Sequence, residues 1–128
     1  MKRFCRLTVL ILSVTASTSY DMFALTNITS EEEFNQILNQ KTKVVVDFYA
    51  EWCGPCKQMK ITLEQVEKDY QDIMFVKVNI DSLRNLANKF KVRSIPTVIF
   101  FKDGQKVKQF VGAKSKAEIS ALINNVFS

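Results

Sequence analysis

The sequence predicts an α/β domain in which a central mixed β-sheet is flanked by helices on both faces. Three observations lead there. Val44-Val45-Val46 opens a run so continuously apolar that a strand over 44–49 must be covered on both sides, which marks a central parallel strand. Segments of strand composition alternate with segments of helical periodicity, the order that joins parallel strands. Near the end, two strand-like runs meet at Asp103-Gly104, a hairpin turn signal that adds antiparallel pairing.

Taken in order, Met1 to about Ala24 stands apart as a leader, and residues 25–128 form the domain. Lys2, Arg3 and Arg6 give a basic start, Leu7 to Val14 is mostly apolar, and Val14-Thr15-Ala16 places small residues as a cleavage site does. This is the pattern of a secretory signal peptide, too short to span a membrane, so no stable membrane insertion is expected. Two other readings stay open. The Ser/Thr-rich stretch, with no acid before Asp21, also suits an organellar transit peptide, and Met22 is an alternative cytoplasmic start. Export, periplasmic or secretory, is the expectation.

Ser30 with Glu33 forms a capping box for a first helix that places Phe34, Ile37 and Leu38 on one face. Lys41-Thr42-Lys43 breaks it, and the strand Val44–Tyr49 follows. A second helix opens at the cysteine pair, carries Met59, Leu63 and Val66 at helical spacing and ends near Tyr70. Ile73–Ile80 reads as another central strand. Leu83, Leu86, Ala87 and Phe90 mark a third helix, with Asp81 or Ser82 as its cap. Thr97–Lys102 and Lys106–Val111 are the hairpin strands. Ser115 with Glu118 caps a last helix through Ile119, Leu122, Ile123 and Val126. No internal repeat or linker interrupts the domain.

Composition removes several classes of function. The 128 residues suffice for one core and not for two. Of the net charge of +5, Lys2, Arg3 and Arg6 against Asp21 supply +2, which leaves +3 for the rest. No basic run interleaved with aromatics occurs there, so nucleic acid is not an expected partner. The chain has no histidine, which excludes His-based triads and His-containing metal sites. Its three cysteines, Cys5, Cys53 and Cys56, fall short of a four-ligand zinc site, and neither metal nor other cofactor is expected.

The chemistry concentrates at Cys53-Gly54-Pro55-Cys56. So small a disulfide ring stabilises by only about 2 kcal/mol, a weak staple, whereas a reversible two-electron switch makes chemical sense of it. Thiolate rather than thiol attacks a disulfide. A helix opening just after Cys53 aims N–H groups and the positive dipole end at its sulfur. Pro55 suits the first turn, where a missing N–H costs nothing. Cys53 is then the exposed nucleophile, and Cys56, inside the turn, the shielded resolving thiol. Asp47, an acid within the valine-rich strand, is costly to bury unless it has a role. Burial raises its pKa and makes it a candidate proton acceptor for Cys56. An exposed carboxylate at the strand end is the alternative.

Trp52-Cys53-Gly54-Pro55-Cys56-Lys57 resembles the active site of the thioredoxin family. The resemblance runs from about Leu25 to Val126. It takes in Val46-Asp47-Phe48, Lys77-Val78-Asn79-Ile80-Asp81, Arg93-Ser94-Ile95-Pro96-Thr97 and Phe110-Val111-Gly112-Ala113. A lone Cys-x-x-Cys is a modest signal; the constellation in this order is a strong one. It implies the thioredoxin fold and a monomer that reduces disulfide-containing protein substrates, recharged by a thioredoxin reductase or a membrane dithiol donor. It also implies a buried carboxylate at Asp47 with Lys77 nearby, although the residues alone make Lys77 a solvated surface lysine.

A cis bond at Ile95-Pro96 is implied as well, with the Ile95 backbone pairing with substrate beside Cys53; without the resemblance, Pro96 is a strand-start proline. Trp52 and Gly112 complete an apolar rim, core packing being the alternative for Trp52. The chain departs from the family at three places. Ile61 stands where a kinking proline is usual, Ser94 where some members have glycine, and Tyr49 at a position often tryptophan. Rival functions are a disulfide oxidase or isomerase of an exported compartment, and a redox-silent binding subunit. The Gly-Pro dipeptide, with no histidine to stabilise a thiolate, speaks against the first.

Overall fold

The computed structural model describes residues 24–128, so the leader and Cys5 lie outside the described residues. The chain runs β1 (Thr26–Asn27), α1 (Glu31–Gln40), β2 (Lys43–Tyr49), α2 (Gly54–Glu67), β3 (Met74–Asn79), α3 (Arg84–Lys89), β4 (Thr97–Lys102), β5 (Gln105–Val111) and α4 (Lys116–Val126). The five strands stand in the order β1-β3-β2-β4-β5. β1, β3 and β2 are parallel, and β4 and β5 antiparallel, so the sheet is mixed as expected.

β2 is the centre, and its alternation divides the core. Val44, Val46 and Phe48 point to the layer closed by Phe34 of α1 and by Leu86 and Ala87 of α3. Val45 points to the opposite layer, closed by Met59, Leu63 and Val66 of α2 and by Ile119 and Ile123 of α4. Helices therefore cover both faces. In the first layer Phe34 meets Phe90 and Phe101 edge-on, with centroids 5.6 and 5.8 Å apart. Burying one such ring contributes about 1.5–3 kcal/mol before the packing geometry adds to it.

Local signals hold with four adjustments. β1 was not anticipated: it is two residues long and pairs only with β3, through Thr26 with Val76 and Asn27 with Lys77. Only half of the first capping box forms. Glu33 N–H donates to Ser30 Oγ at 3.1 Å, while the Glu33 carboxylate takes the N–H and hydroxyl of Thr29. The box at Ser115 and Glu118 is complete. α2 ends at Glu67 rather than near Tyr70, and it runs unbroken through Ile61.

The fourth adjustment is the start of α3. Its cap position is Leu83, with no side-chain hydrogen bond, instead of Asp81 or Ser82. The N–H groups of Asp81 and Ser82 donate to Asn79 Oδ1, at 2.8 and 3.3 Å, and the Asp81 carboxylate is engaged elsewhere. At the hairpin, Asp103 and Gly104 both take positive φ, 50° and 77°, as a two-residue turn between twisted strands requires.

Candidate active site

α2 begins at the site because Cys53 caps it. Cys53 adopts extended backbone, its Sγ accepts the N–H of Cys56 at 3.2 Å, and Pro55 occupies the first turn. Cys53 and Cys56 are joined as a disulfide, with Cα atoms 5.3 Å apart. The first-turn N–H groups that a sulfur anion needs are thus in place before reduction. One expectation is corrected here. With the bond closed Cys53 is not exposed: it retains 4% of its surface and Cys56 2%. Ala50, with half-buried Tyr49, Ile80 and Ile95, packs around the pair.

The rim residues arrive from separate elements. The Ile95 carbonyl oxygen lies 3.9 Å from Cys53 Sγ, and the Ile95–Pro96 bond is cis. Gly112 has φ of 89°, a left-handed conformation that favours glycine, and its N–H donates to Pro96 O at 2.8 Å. Ile95, Pro96 and Gly112 are therefore brought together beside Cys53. Trp52 is fixed independently. It is 70% exposed, which rules out core packing, and its indole N–H donates to Asp81 Oδ2 at 2.9 Å. Asn79 holds the Asp81 backbone, so the end of β3 anchors the tryptophan through two hydrogen bonds. Gly54 faces open space at the tip of the motif.

Asp47 is buried, with 1% of its surface accessible, so the exposed-carboxylate alternative falls. It sits on the α2 side of β2, in register with Lys77 of β3 and Val98 of β4. Oδ1 has no hydrogen-bond partner. Burial pushes its carboxyl up from 3.8 to about 7, and the positive charge of Lys77 pulls it down in part. That places a carboxyl in the range where thiol chemistry operates. Lys77 lines a groove of about 280 Å³ together with Tyr49, Cys56, Lys57, Lys60 and Ile61. Cys56 and the lysine beside Asp47 thus share one open groove.

Sequence reasoning missed two contacts at the site and one buried carboxyl remote from it. Asp81 is tied to Trp52 across 29 positions, and no local signal announces that. Tyr49 is more than a substitute aromatic, since its hydroxyl donates to Asn27 Oδ1 at 3.3 Å and the Lys77 ammonium lies over its ring. Glu67, at the far end of α2, has a buried oxygen without a partner. Burial, with Glu64 one turn away, pushes its carboxyl up to about 7. Fourteen residues of helix put it about 20 Å from Cys53, away from the chemistry.

Comparison with known proteins agrees with this geometry. A family model described as Thioredoxin matches residues 25–125. A thioredoxin of Mycoplasmoides gallisepticum is 44% identical over 97 residues, covering 76% of this chain and 97% of that protein. Thioredoxin-2 of Saccharomyces cerevisiae is 40% identical over 103 residues, covering 80% and 99%. Among solved structures, a Plasmodium falciparum thioredoxin superposes with a TM-score of 0.75 at 36% identity, over 79% of this chain and 98% of that one.

Proposed function

The chain belongs to the thioredoxin family and is a thiol–disulfide oxidoreductase that reduces protein disulfides through Cys53 and Cys56, and from that premise we propose the role of each surrounding residue. One observation carries the proposal: the closed pair sits at the N-terminus of α2, with the Ile95 carbonyl 3.9 Å from Cys53 Sγ.

In the reduced protein, Cys53 is the thiolate, favoured by the Cys56 N–H and the dipole of α2. It attacks one sulfur of the substrate disulfide; a mixed disulfide forms, and the other substrate sulfur leaves as a thiolate and is protonated. Cys56 then yields its proton to Asp47 and attacks Cys53 Sγ. The second substrate thiol departs, the substrate has gained two electrons, and the pair is oxidised. An external dithiol donor, a reductase or a membrane protein, returns the electrons.

Ile95, on this reading, offers its backbone to an extended substrate segment, and Trp52, Pro96 and Gly112 form the surface against which that segment lies. Lys77 tunes Asp47 through its charge. Gly54 and Pro55 keep the motif narrow and start the helix. We also propose that the leader directs export, on the strength of its basic start and apolar stretch. Insulin reduction by wild type and Cys53→Ser, with dithiothreitol as the dithiol donor, tests the catalytic reading. Wild type is expected to turn over and Cys53→Ser to be inactive. A Cys53→Ser protein that supports its partner's function as well as wild type would move the assignment to the redox-silent subunit.

A further inference from the structure

Across β1, β3 and β2, the residues Asn27, Lys77 and Asp47 stand in one row, because Asn27 pairs with Lys77 and Lys77 with Asp47. Tyr49, two residues past Asp47 and on the same face, reaches over that row. Its hydroxyl donates to Asn27 Oδ1 at 3.3 Å, and the Lys77 ammonium lies 5.3 Å from its ring centroid. No ion pair joins Lys77 to Asp47 among the described residues.

We propose that Tyr49 is a positioning residue: its ring, pinned at the far end by Asn27, holds the Lys77 ammonium in the groove beside Asp47. The cation is then near enough to act through space and kept from dispersing into solvent. A lysine ammonium is a strongly hydrated point charge on a flexible stem, and left alone it extends into water. Attraction to an aromatic face is worth about 0.5–2 kcal/mol, enough to favour one placement of that stem. A charge held at the edge of a low-dielectric region acts on a buried carboxyl more strongly than one screened by water. The upward push on Asp47 by burial is moderated by Lys77, as this arrangement requires.

The other groups around Asp47 do not replace Lys77. Glu51 follows β2 at the groove, α2 brings Cys56, Lys57, Lys60 and Glu64 to it, and β4 places the uncharged Val98 opposite Asp47. Lys60 is paired to Glu64 at 3.9 Å. Among these charges only Lys77 stands in register with Asp47.

The consequence for catalysis rests on Asp47 accepting the Cys56 proton, as proposed above; the positioning itself does not. The test is the carboxyl titration of Asp47 by carbon-13 NMR on the oxidised protein. It is followed in wild type, Tyr49→Phe, Tyr49→Leu, Lys77→Met and the Tyr49→Leu/Lys77→Met double variant. Tyr49→Leu and Lys77→Met are each expected to raise the midpoint, by about one pH unit for the loss of a nearby opposite charge. Tyr49→Phe keeps the ring face and is expected to move it much less.

The double variant should show no more than Lys77→Met alone, and the pH profile of single-turnover resolution should follow the same order. A midpoint that stays or falls in Tyr49→Leu overturns the proposal. So does a rise of equal size in the Lys77→Met background, because the ring would then act on Asp47 by a route other than the lysine; loss of mere covering would lower the midpoint. If the midpoints move as expected while Asp47→Asn resolves as fast as wild type, the positioning stands and the proton-acceptor role falls.

Discussion

Replacing Asp47 by alanine should make the protein more stable and slower. Its carboxyl lies at about 7 in the folded protein against 3.8 for the free side chain. Below pH 3.8 both states are protonated and the group costs nothing. Between 3.8 and about 7 the unfolded chain ionises while the folded one does not, so stability is lost as pH rises through that interval. Above it both are charged and the penalty is constant. Three pH units at 1.36 kcal/mol each set it at up to ~4 kcal/mol. Alanine recovers this but forfeits packing and leaves a small void, at about 1–2 kcal/mol. The net gain expected at pH 8 is ~2 kcal/mol, or about 8 °C in Tm for a domain of this size.

At pH 3.5 the gain should disappear and the variant should become the weaker protein. In single-turnover reduction of a disulfide substrate, resolution by Cys56 should slow by roughly tenfold or more, since its proton acceptor is gone. Urea unfolding at both pH values, alongside rapid-quench kinetics, reads the two effects on one sample. A variant that is less stable at pH 8, or equally stabilised at both pH values, refutes the burial argument. Unchanged resolution refutes the catalytic one.

Three further outcomes are expected. Cys56→Ser should accumulate mixed disulfides with its substrates on non-reducing gels, and Cys53→Ser almost none; equal trapping would reverse or void the order of attack. Glu67→Gln should raise Tm at pH 8 but not at pH 4, because the Glu67 carboxyl, raised from 4.5 to about 7 by burial, costs stability as pH rises through that interval; its gain should be smaller than that of Asp47→Ala, as the group is better solvated. Mature protein purified from its native source should begin between about Ser17 and Leu25 and lack Cys5 by mass spectrometry, and an intact Met1 or a start at Met22 would contradict export.

Much of the site could be read in the chain because its logic is local. Pro55 and the spacing of Cys53 and Cys56 put both sulfurs at one helix end, and that helix starts where expected. Asp47 was legible as buried because Val46 and Phe48 flank it in a strand apolar on both faces. What escaped depends on which strands become neighbours. The ring of Tyr49 can meet Lys77, and its hydroxyl Asn27, only once β1 and β3 lie in order beside β2, and β1 is too short to announce itself. Asp81 looked like a helix cap by composition, yet its carboxylate is taken by the indole of Trp52 from another element. Cys53 was expected in the open because nucleophiles must be reached, but the closed bond tucks it against Ala50 and Ile95.

The two displaced carboxyls also change what the protein does as a buffer. A chain without histidine would ordinarily take up few protons between pH 6 and 8. Asp47 and Glu67 both enter that window, one on the α2 face of the central strand and one at the far end of α2. With Cys53 and Cys56 locked together and the leader with Cys5 removed, a plain acid–base titration of the oxidised protein is dominated there by these two groups and the α-amino terminus. Removing Glu67 leaves the Asp47 proton as the main side-chain contribution. Subtracting that curve from the one for the reduced Glu67 variant then gives the protons taken up by Asp47 and the dithiol as one coupled set, with no label and no probe attached.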